Sequence, residues 1–314
     1  MSEGADPGAL DALRAGGKRA MASALARLEA APADPALLAL LDVAHLGARA
    51  RVIGITGPPG VGKSTLTSAL IGLERAQARS VGVIAVDPTS RRSGGALLGD
   101  RMRFELDPQD QGTFVRSMAA RERLGGLAPL TYAVVVLMRA VYDVVLVETV
   151  GVGQSETDVA GVCDTVVLCL QPGSGDSLQY MKSGIAEIPD IAVVNKADLG
   201  QLAWRAKADL EAVLAPEQGP GWRVPVLLAS ATAGSGLDEL SRALEAHAAY
   251  LIEQGGLAAR RAAQDRSWIE DGVREAFGRC GLKRAAHLPG GLASATGQSP
   301  FRRLHEISLA LGER

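Results

Sequence analysis

The sequence predicts an α/β fold, a mostly parallel central sheet flanked by helices, with a helical segment before it and a helical arm after it. Three observations carry this. From Arg51 onward, short β-branched runs alternate with longer segments of helical periodicity. The runs are apolar throughout rather than every second residue, as in strands buried on both faces of a parallel sheet. A glycine-rich turn joins the first of these runs directly to a helix.

Residues 1 to about 46 are rich in Ala and Leu, with Leu10, Leu13, Met21, Leu25 and Leu28, then Leu37, Leu38, Leu40 and Leu41, at helical spacing. Ala31-Pro32-Ala33-Asp34-Pro35 divides this stretch into two or more helices. Strands are predicted at Arg51–Thr56, Val81–Asp87, Phe114–Ser117, Asp143–Glu148, Thr165–Gln171, Ile191–Asn195 and Val224–Ser230. Helices are predicted between them at Thr65–Ala78, Leu127–Ala140, Leu178–Glu187, Leu202–Leu214 and Leu237–Ile252. Gly255-Gly256 closes the α/β region. A charged helix follows from Leu257 to about Arg279, then a Gly/Ala/Ser-rich stretch (Gly290 to Ser299) and a last short helix to Leu311. The expected division is an N-terminal helical extension (residues 1–48), a nucleotide-binding domain (49–255) and a C-terminal helical arm (256–314).

Composition excludes several classes. A formal net charge of −2 provides no basic field for nucleic acid. Three cysteines form no paired framework, which suits a reducing cytoplasm. Met-Ser-Glu-Gly-Ala-Asp at the start has no apolar core of a signal peptide, and the longest apolar runs, Ala36–Leu41 and Ala133–Met138, are far too short to span a bilayer. A cytoplasmic protein with neither a nucleic-acid nor a membrane partner is expected.

Gly57, Pro58, Pro59, Gly60, Val61, Gly62, Lys63 and Ser64 fit G-x-x-x-x-G-K-[ST], between a predicted strand and the helix that opens at Thr65. This is the P-loop NTPase signature. Backbone N–H groups at the helix N-terminus can cradle a β-phosphate. Gly57 and Gly62 allow the backbone close to the phosphates, Lys63 brings a positive charge to the β and γ oxygens, and the Ser64 hydroxyl can ligate Mg²⁺.

At the end of a later strand stands Asn195-Lys196-Ala197-Asp198, an N-K-x-D tetrapeptide. The Asp198 carboxylate can accept from guanine N1–H and N2–H₂, which adenine cannot supply. Asn195 can bond the O6/N7 edge, and the Lys196 stem can lie over the base. Ser230-Ala231, after the next strand, resembles the element that completes a guanine pocket through backbone contacts. A buried polar pocket rejects the wrong base because its groups are left unpaired. The implied ligand is GTP, and GDP after hydrolysis.

Val144–Val147 ends in Glu148, then Thr149-Val150-Gly151: a strand-end carboxylate to position Mg²⁺, and a glycine whose N–H can sense the γ-phosphate. Most regulatory GTPases have Asp where Glu148 stands. Asp87, ending the second strand, and Asp100, in the glycine-rich loop Ser93–Arg101, are further acids that can hold Mg²⁺ through its waters. Lys63, Asp87, Asp100 and Glu148 form the expected catalytic set. Val152 rather than Gln follows Gly151, and Gln154 comes later, so the water-positioning glutamine of Ras-like enzymes is missing. Slow intrinsic turnover, accelerated by a partner or by dimerisation, is expected.

These motifs, with Asp87-Pro88-Thr89-Ser90, Ser93-Gly94-Gly95, Gly99-Asp100-Arg101, the string Glu148-Thr149-Val150-Gly151-Val152-Gly153-Gln154-Ser155-Glu156, Pro172-Gly173-Ser174-Gly175-Asp176, Lys182-Ser183-Gly184-Ile185 and Gln264…Trp268, resemble the MeaB/ArgK GTPases. Their human relative is the methylmalonic aciduria type A protein, and they belong to the SIMIBI class of P-loop GTPases. The resemblance spans about Leu10 to Trp268. It implies a G-protein chaperone that gates adenosylcobalamin loading and protects or reactivates a cobalamin-dependent acyl-CoA mutase, by default methylmalonyl-CoA mutase. It further implies that Gln171 to Lys182 signals nucleotide state to the mutase, with Asp176 and Lys182 as its charged residues and Gly151 and Gln154 in the switch. A homodimer through the C-terminal helices, Leu257–Arg279, is implied as well. The chain departs from the family pattern at Glu122, at Pro189 and at Pro289-Gly290-Gly291.

Two other functions share these motifs. A nickel-type metal-insertion GTPase would need a transfer site of paired Cys/His, whereas Cys163 and Cys169 flank a core strand and His45, His247, His287 and His305 are scattered singly. A kinase, as the arginine/ornithine transport label of ArgK-like proteins suggests, would need an acceptor pocket that no motif indicates.

Overall fold

The computed structural model describes residues 7–87, 104, 107, 109–119, 129–149, 158–173, 188–214, 221–295 and 297–312. Among them are seven strands: β1 (Arg51–Thr56), β2 (Val81–Asp87), β3 (Thr113–Ala119), β4 (Val144–Glu148), β5 (Thr165–Leu170), β6 (Ile191–Val194) and β7 (Val226–Leu228). They form one sheet in the order β3-β2-β4-β1-β5-β6-β7, with every pairing parallel. The helices, likewise among the described residues, are α1 (Pro7–Ala15), α2 (Gly17–Ala30), α3 (Pro35–Leu46), α4 (Lys63–Ala76), α5 (Pro129–Val141), α6 (Gln201–Leu214), α7 (Leu237–Glu253), α8 (Gly256–Ala286) and α9 (Pro300–Gly312). The predicted helix Leu178–Glu187 lies outside the described residues, apart from which each predicted element has a counterpart.

Among the strands the largest shift is at β7, three residues where seven were expected. Pro225 has no N–H to donate, so the ladder begins after it, although its carbonyl still accepts from Ala192. At the other end Ser230 turns into an isolated antiparallel bridge with Ser235.

Contacts divide the chain into two compact units, one of Arg51–Ala128 with Asp143–Leu257, the other of Met1–Ala50, Pro129–Tyr142 and Ala258–Arg314. In the sheet unit, alternation along each strand sends side chains to opposite faces. Val167 and Cys169 of β5 and Ile191 and Val193 of β6 join a cluster with Leu66 and Leu70 of α4 and Leu240 and Leu244 of α7. Their neighbours Leu168, Leu170, Ala192 and Val194 face the other way and pack with Ala203 and Leu210 of α6. Both faces of these strands are covered, which is why their sequences are apolar without interruption.

Charged pairs brace the edge of the same unit. Arg75 of α4 donates from Nε and Nη2 to Asp110 at 2.9 and 2.8 Å. Thr113 Oγ1 and the Gly112 N–H add bonds of 2.7 and 2.9 Å to the same carboxylate, fixing the entry to β3. The Arg75 hydrogen bonds, followed by those of Thr113 and Gly112, hold the Asp110 carboxyl well below the usual carboxylate range. A carboxyl depressed by folding contributes stability that is complete above its unfolded value, about 3.9, and is lost as pH falls from there toward the folded value. The stability difference between wild type and Asp110→Asn is therefore expected to be full at about pH 6 and to narrow below about pH 4. Urea midpoints measured for both proteins across that range check it; a gap of constant size would refute it.

In the helical unit, Asp34 caps α3 by accepting from the Ala36 N–H at 3.0 Å, with Pro35 at the first helical position. The expected break at Ala31–Pro35 is present, and a second at Gly16-Gly17, where Gly17 takes φ +56°, separates α1 from α2. The charged helix runs seven residues past the predicted Arg279 to Ala286, with a non-helical step at Gly278 (φ 64°, ψ −165°). Ile269, Val273 and Ala285 of α8 pack with Ile307 and Leu311 of α9. Asp42 of α3 accepts from the Ser299 hydroxyl and from Arg302 Nε and Nη2, the last two at 2.9 and 2.6 Å. Asp265 of α8 accepts from the Tyr132 hydroxyl and lies 2.9 Å from His45 Nε2. Trp268 stacks on Tyr132 at 5.5 Å.

Candidate nucleotide site

Parallel strands all end on one edge, so the residues following β1, β4, β5, β6 and β7 are neighbours whatever their distance in sequence. The register makes this concrete: Ile55 pairs with Glu148, Thr56 with Leu168, and Leu170 with Val194. Ala85 also pairs with Glu148, which places the backbone of Asp87 at the same edge; its side chain lies outside the described residues, as do Asp100, Gly151, Gln154, Asp176 and Lys182. Carboxyl ends of strands in an open α/β sheet are where such folds bind ligands.

β1 runs into the glycine-rich loop, and two of its glycines are required by geometry. Gly57 has φ 137°, and a Cβ there would lie 2.0 Å from the backbone oxygen of Cys169. Gly62 has φ 93° and would place a Cβ 2.5 Å from Asn195 Nδ2. Gly62 is also the N-cap of α4 and supplies no side-chain cap. The first-turn N–H groups of that helix are thus left to an anion, where Ser, Asp or Asn would ordinarily satisfy one of them. Gly57→Ala is expected to displace the loop from β5 and raise the Kd for GTP at least about 100-fold, since Cys169 opposes it with backbone that cannot rotate away. Calorimetric titration checks this; near-normal binding would show that the loop absorbs the clash.

Lys63 is buried, and its Nζ donates to the carbonyls of Gly57 and Pro58 at 2.7 and 2.8 Å. The amine is therefore held over the loop, where phosphate oxygens would offer it stronger, charge-assisted bonds than neutral carbonyls do. Ser64 Oγ donates to Glu148 Oε1 at 2.7 Å, and Glu148 is fully buried at the tip of β4. Thr149 Oγ1 and Thr56 Oγ1 are 3.1 Å apart across β4 and β1. Thr65 is exposed on the first turn of α4.

The N-K-x-D segment closes the other side. Asn195 is buried; its Nδ2 donates to Val61 O at 2.9 Å and its Oδ1 accepts from the Ala231 N–H at 3.2 Å. The side chain expected at the base edge also ties the phosphate loop to the Ser230-Ala231 loop. Lys196 adopts the left-handed conformation, φ 59° and ψ 42°. Its Nζ donates to Gly60 O at 3.1 Å and to Gln171 Oε1 at 2.5 Å. Asp198 is exposed, and Ser230 Oγ donates to its Oδ1 at 2.6 Å. That hydrogen bond, ahead of any other cause, lowers the Asp198 pKa and keeps the group an acceptor at neutral pH. Burial pushes the Cys169 thiol up to about 12, so it is an inert part of the floor.

A phosphate-cradling loop and an acceptor carboxylate therefore share one edge of the sheet, and the family comparison agrees with that geometry. The model of the methylmalonyl-CoA mutase-associated GTPase MeaB matches residues 21–282. The chain belongs to the MeaB family of GTPases. A Pyrococcus horikoshii relative named as a GTPase is 42% identical over 275 residues, covering 84% of this chain and 83% of the relative. The mouse protein named methylmalonic aciduria type A homolog, mitochondrial, is 37% identical over 229 residues, 71% of this chain and 55% of the mouse protein. A crystal structure titled LAO/AO transport system kinase superposes with a TM-score of 0.69 at 26% identity, covering 99% of both chains.

In this MeaB-family GTPase, Gly57–Ser64, Glu148, Asn195, Lys196, Asp198, Ser230 and Ala231 all lie along the described edge. Three contributors escaped the sequence reading: the Thr56–Thr149 hydroxyl pair, the Cys169 backbone against Gly57, and Gln171 as an acceptor for Lys196. Each depends on strand register, which no motif encodes. Among the described residues no helix is long and apolar enough to cross a membrane.

Proposed function

We propose that this GTPase is a nucleotide-switched chaperone of an adenosylcobalamin-dependent acyl-CoA mutase, by default methylmalonyl-CoA mutase. The reading is carried by the family match over residues 21–282, with the name of the mouse relative in support. GTP binding and hydrolysis would set the state in which the chaperone admits cofactor to the mutase and protects or reactivates it. The protein would act in the cytoplasm as a homodimer, with α8 as its dimerisation arm and α1 to α3 as its N-terminal extension.

At the site, Lys63 and the first-turn N–H groups of α4 bind the β and γ phosphates and spread the charge that develops as the γ-phosphoryl group leaves. Asp198 accepts from the guanine edge, with Ser230 and Ala231 beside it. The Ser64 hydroxyl and the Glu148 carboxylate, 2.7 Å apart at the loop, are hard oxygen donors of the kind Mg²⁺ takes. Mg²⁺ would supply charge neutralisation to the phosphates, with Asp87 and Asp100 placed by the proposal around it. Gly151, Gln154, Asp176 and Lys182 are proposed to relay nucleotide state to the mutase.

The decisive experiment is co-purification with candidate cobalamin mutases, with and without a non-hydrolysable GTP analogue. Nucleotide-dependent association is expected; no association in either state would sink the chaperone reading. The kinase title of the structural relative is tested by supplying candidate acceptors. Phosphate appearing only in water supports the GTPase role, whereas label on an acceptor would favour the kinase. Stoichiometric Ni²⁺ binding would favour metal insertion.

A further inference from the structure

We propose that Gln171 is a positioning residue for the guanine base, acting through Lys196. The inference rests on the reading that the Lys196 stem lies over the base. Lysine is a poor platform by default: holding its four-carbon stem still costs rotamer entropy, and the left-handed backbone that Lys196 adopts is unfavourable for a non-glycine residue. A stem that must present one flat face to a ligand needs its tip anchored. Here the tip has two anchors from different elements, Gly60 O of the phosphate loop at 3.1 Å and Gln171 Oε1 at 2.5 Å.

The second anchor follows from the sheet. Leu170 and Val194 are paired in register, so Gln171 and Asn195 are the next residues out on adjacent strands, and Lys196 follows. Backbone of the same β5 end lies against Gly57, so the strand that offers Gln171 also seats the phosphate loop. With both acceptors engaged, the Lys196 stem stretches between the recognition segment and the loop. The base then meets a preformed surface instead of ordering one at its own cost. A neutral amide oxygen anchors the amine without cancelling its charge.

The test is a double-mutant cycle on nucleotide affinity, with Gln171→Met (similar length, no acceptor) and Lys196→Ala. Gln171→Met is expected to raise the Kd for GTP and GDP about tenfold, the loss of one hydrogen bond to a charged group. It is expected to weaken ITP by the same factor, because the stem touches the face of the base and not its 2-amino group. The turnover number at saturating GTP is expected to hold, and Gln171→Glu, which keeps an acceptor, is expected to restore affinity. In a Lys196→Ala background, Gln171→Met is expected to add nothing. If Lys196→Ala alone leaves GTP affinity intact, the base-face reading fails and this proposal with it. If Lys196→Ala weakens binding but the two changes add, or Gln171→Met lowers turnover without touching Kd, only the role of Gln171 is overturned.

Discussion

Asp198→Asn is expected to weaken GTP binding by about 10³-fold or more and to create affinity for xanthosine triphosphate. The carboxylate can accept from two donors on guanine, N1–H and N2–H₂. An amide can accept from only one of them and turns its NH₂ toward the other donor. Xanthine carries a carbonyl at C2 instead of the amine, so the same NH₂ finds an acceptor. The exposure of Asp198 and its bond from Ser230 Oγ leave the replacement room without disturbing the core. Competition binding with GTP and XTP reads both effects. Equal loss of both nucleotides would mean that Asp198 supports the loop and does not read the base.

Lys63→Ala is expected to lower kcat/KM for GTP by about 10² to 10³, the usual cost of removing one preorganised donor from a developing charge. GDP affinity should fall less, since the amine serves the γ oxygens as well as the β. The two carbonyls that Lys63 now satisfies, Gly57 O and Pro58 O, lose a buried donor. A modest drop in unliganded thermal stability should therefore accompany the kinetic loss. Single-turnover phosphate release at saturating GTP separates the two effects. Hydrolysis within a factor of about three of wild type would remove Lys63 from the chemistry.

What could be read from sequence was whatever is local. β2 is found with the limits its apolar run implies, because continuous burial leaves a continuous apolar signature. Gly57–Ser64 and Asn195–Asp198 are contiguous in the chain, so their chemistry can be recognised before the fold is known. Gln171 and the Cys169 carbonyl gave no such sign. Their contribution arises only when β5 is set beside β1 and β6 in one register. Pro129–Val141 illustrates the same limit differently. Its helical pattern was legible between two sheet strands, yet its contacts assign it to the unit built from the chain's two ends. Val134, Val135, Val136, Leu137 and Met138 are consecutive and all buried, and a segment buried on every side carries no directional stripe to say which neighbours it keeps.

The bonds from Ser299 and Arg302 to Asp42 have a bearing on how this protein is born. They join residues 257 and 260 positions apart, so on a ribosome adding about 5 to 20 residues per second α3 waits many seconds for them. Every strand of the sheet has emerged by then, and the nucleotide edge can assemble while the helical unit still lacks its last segment. An interruption of synthesis after about residue 257 would release a chain with a sheet and an Asp42 that has never met its arginine.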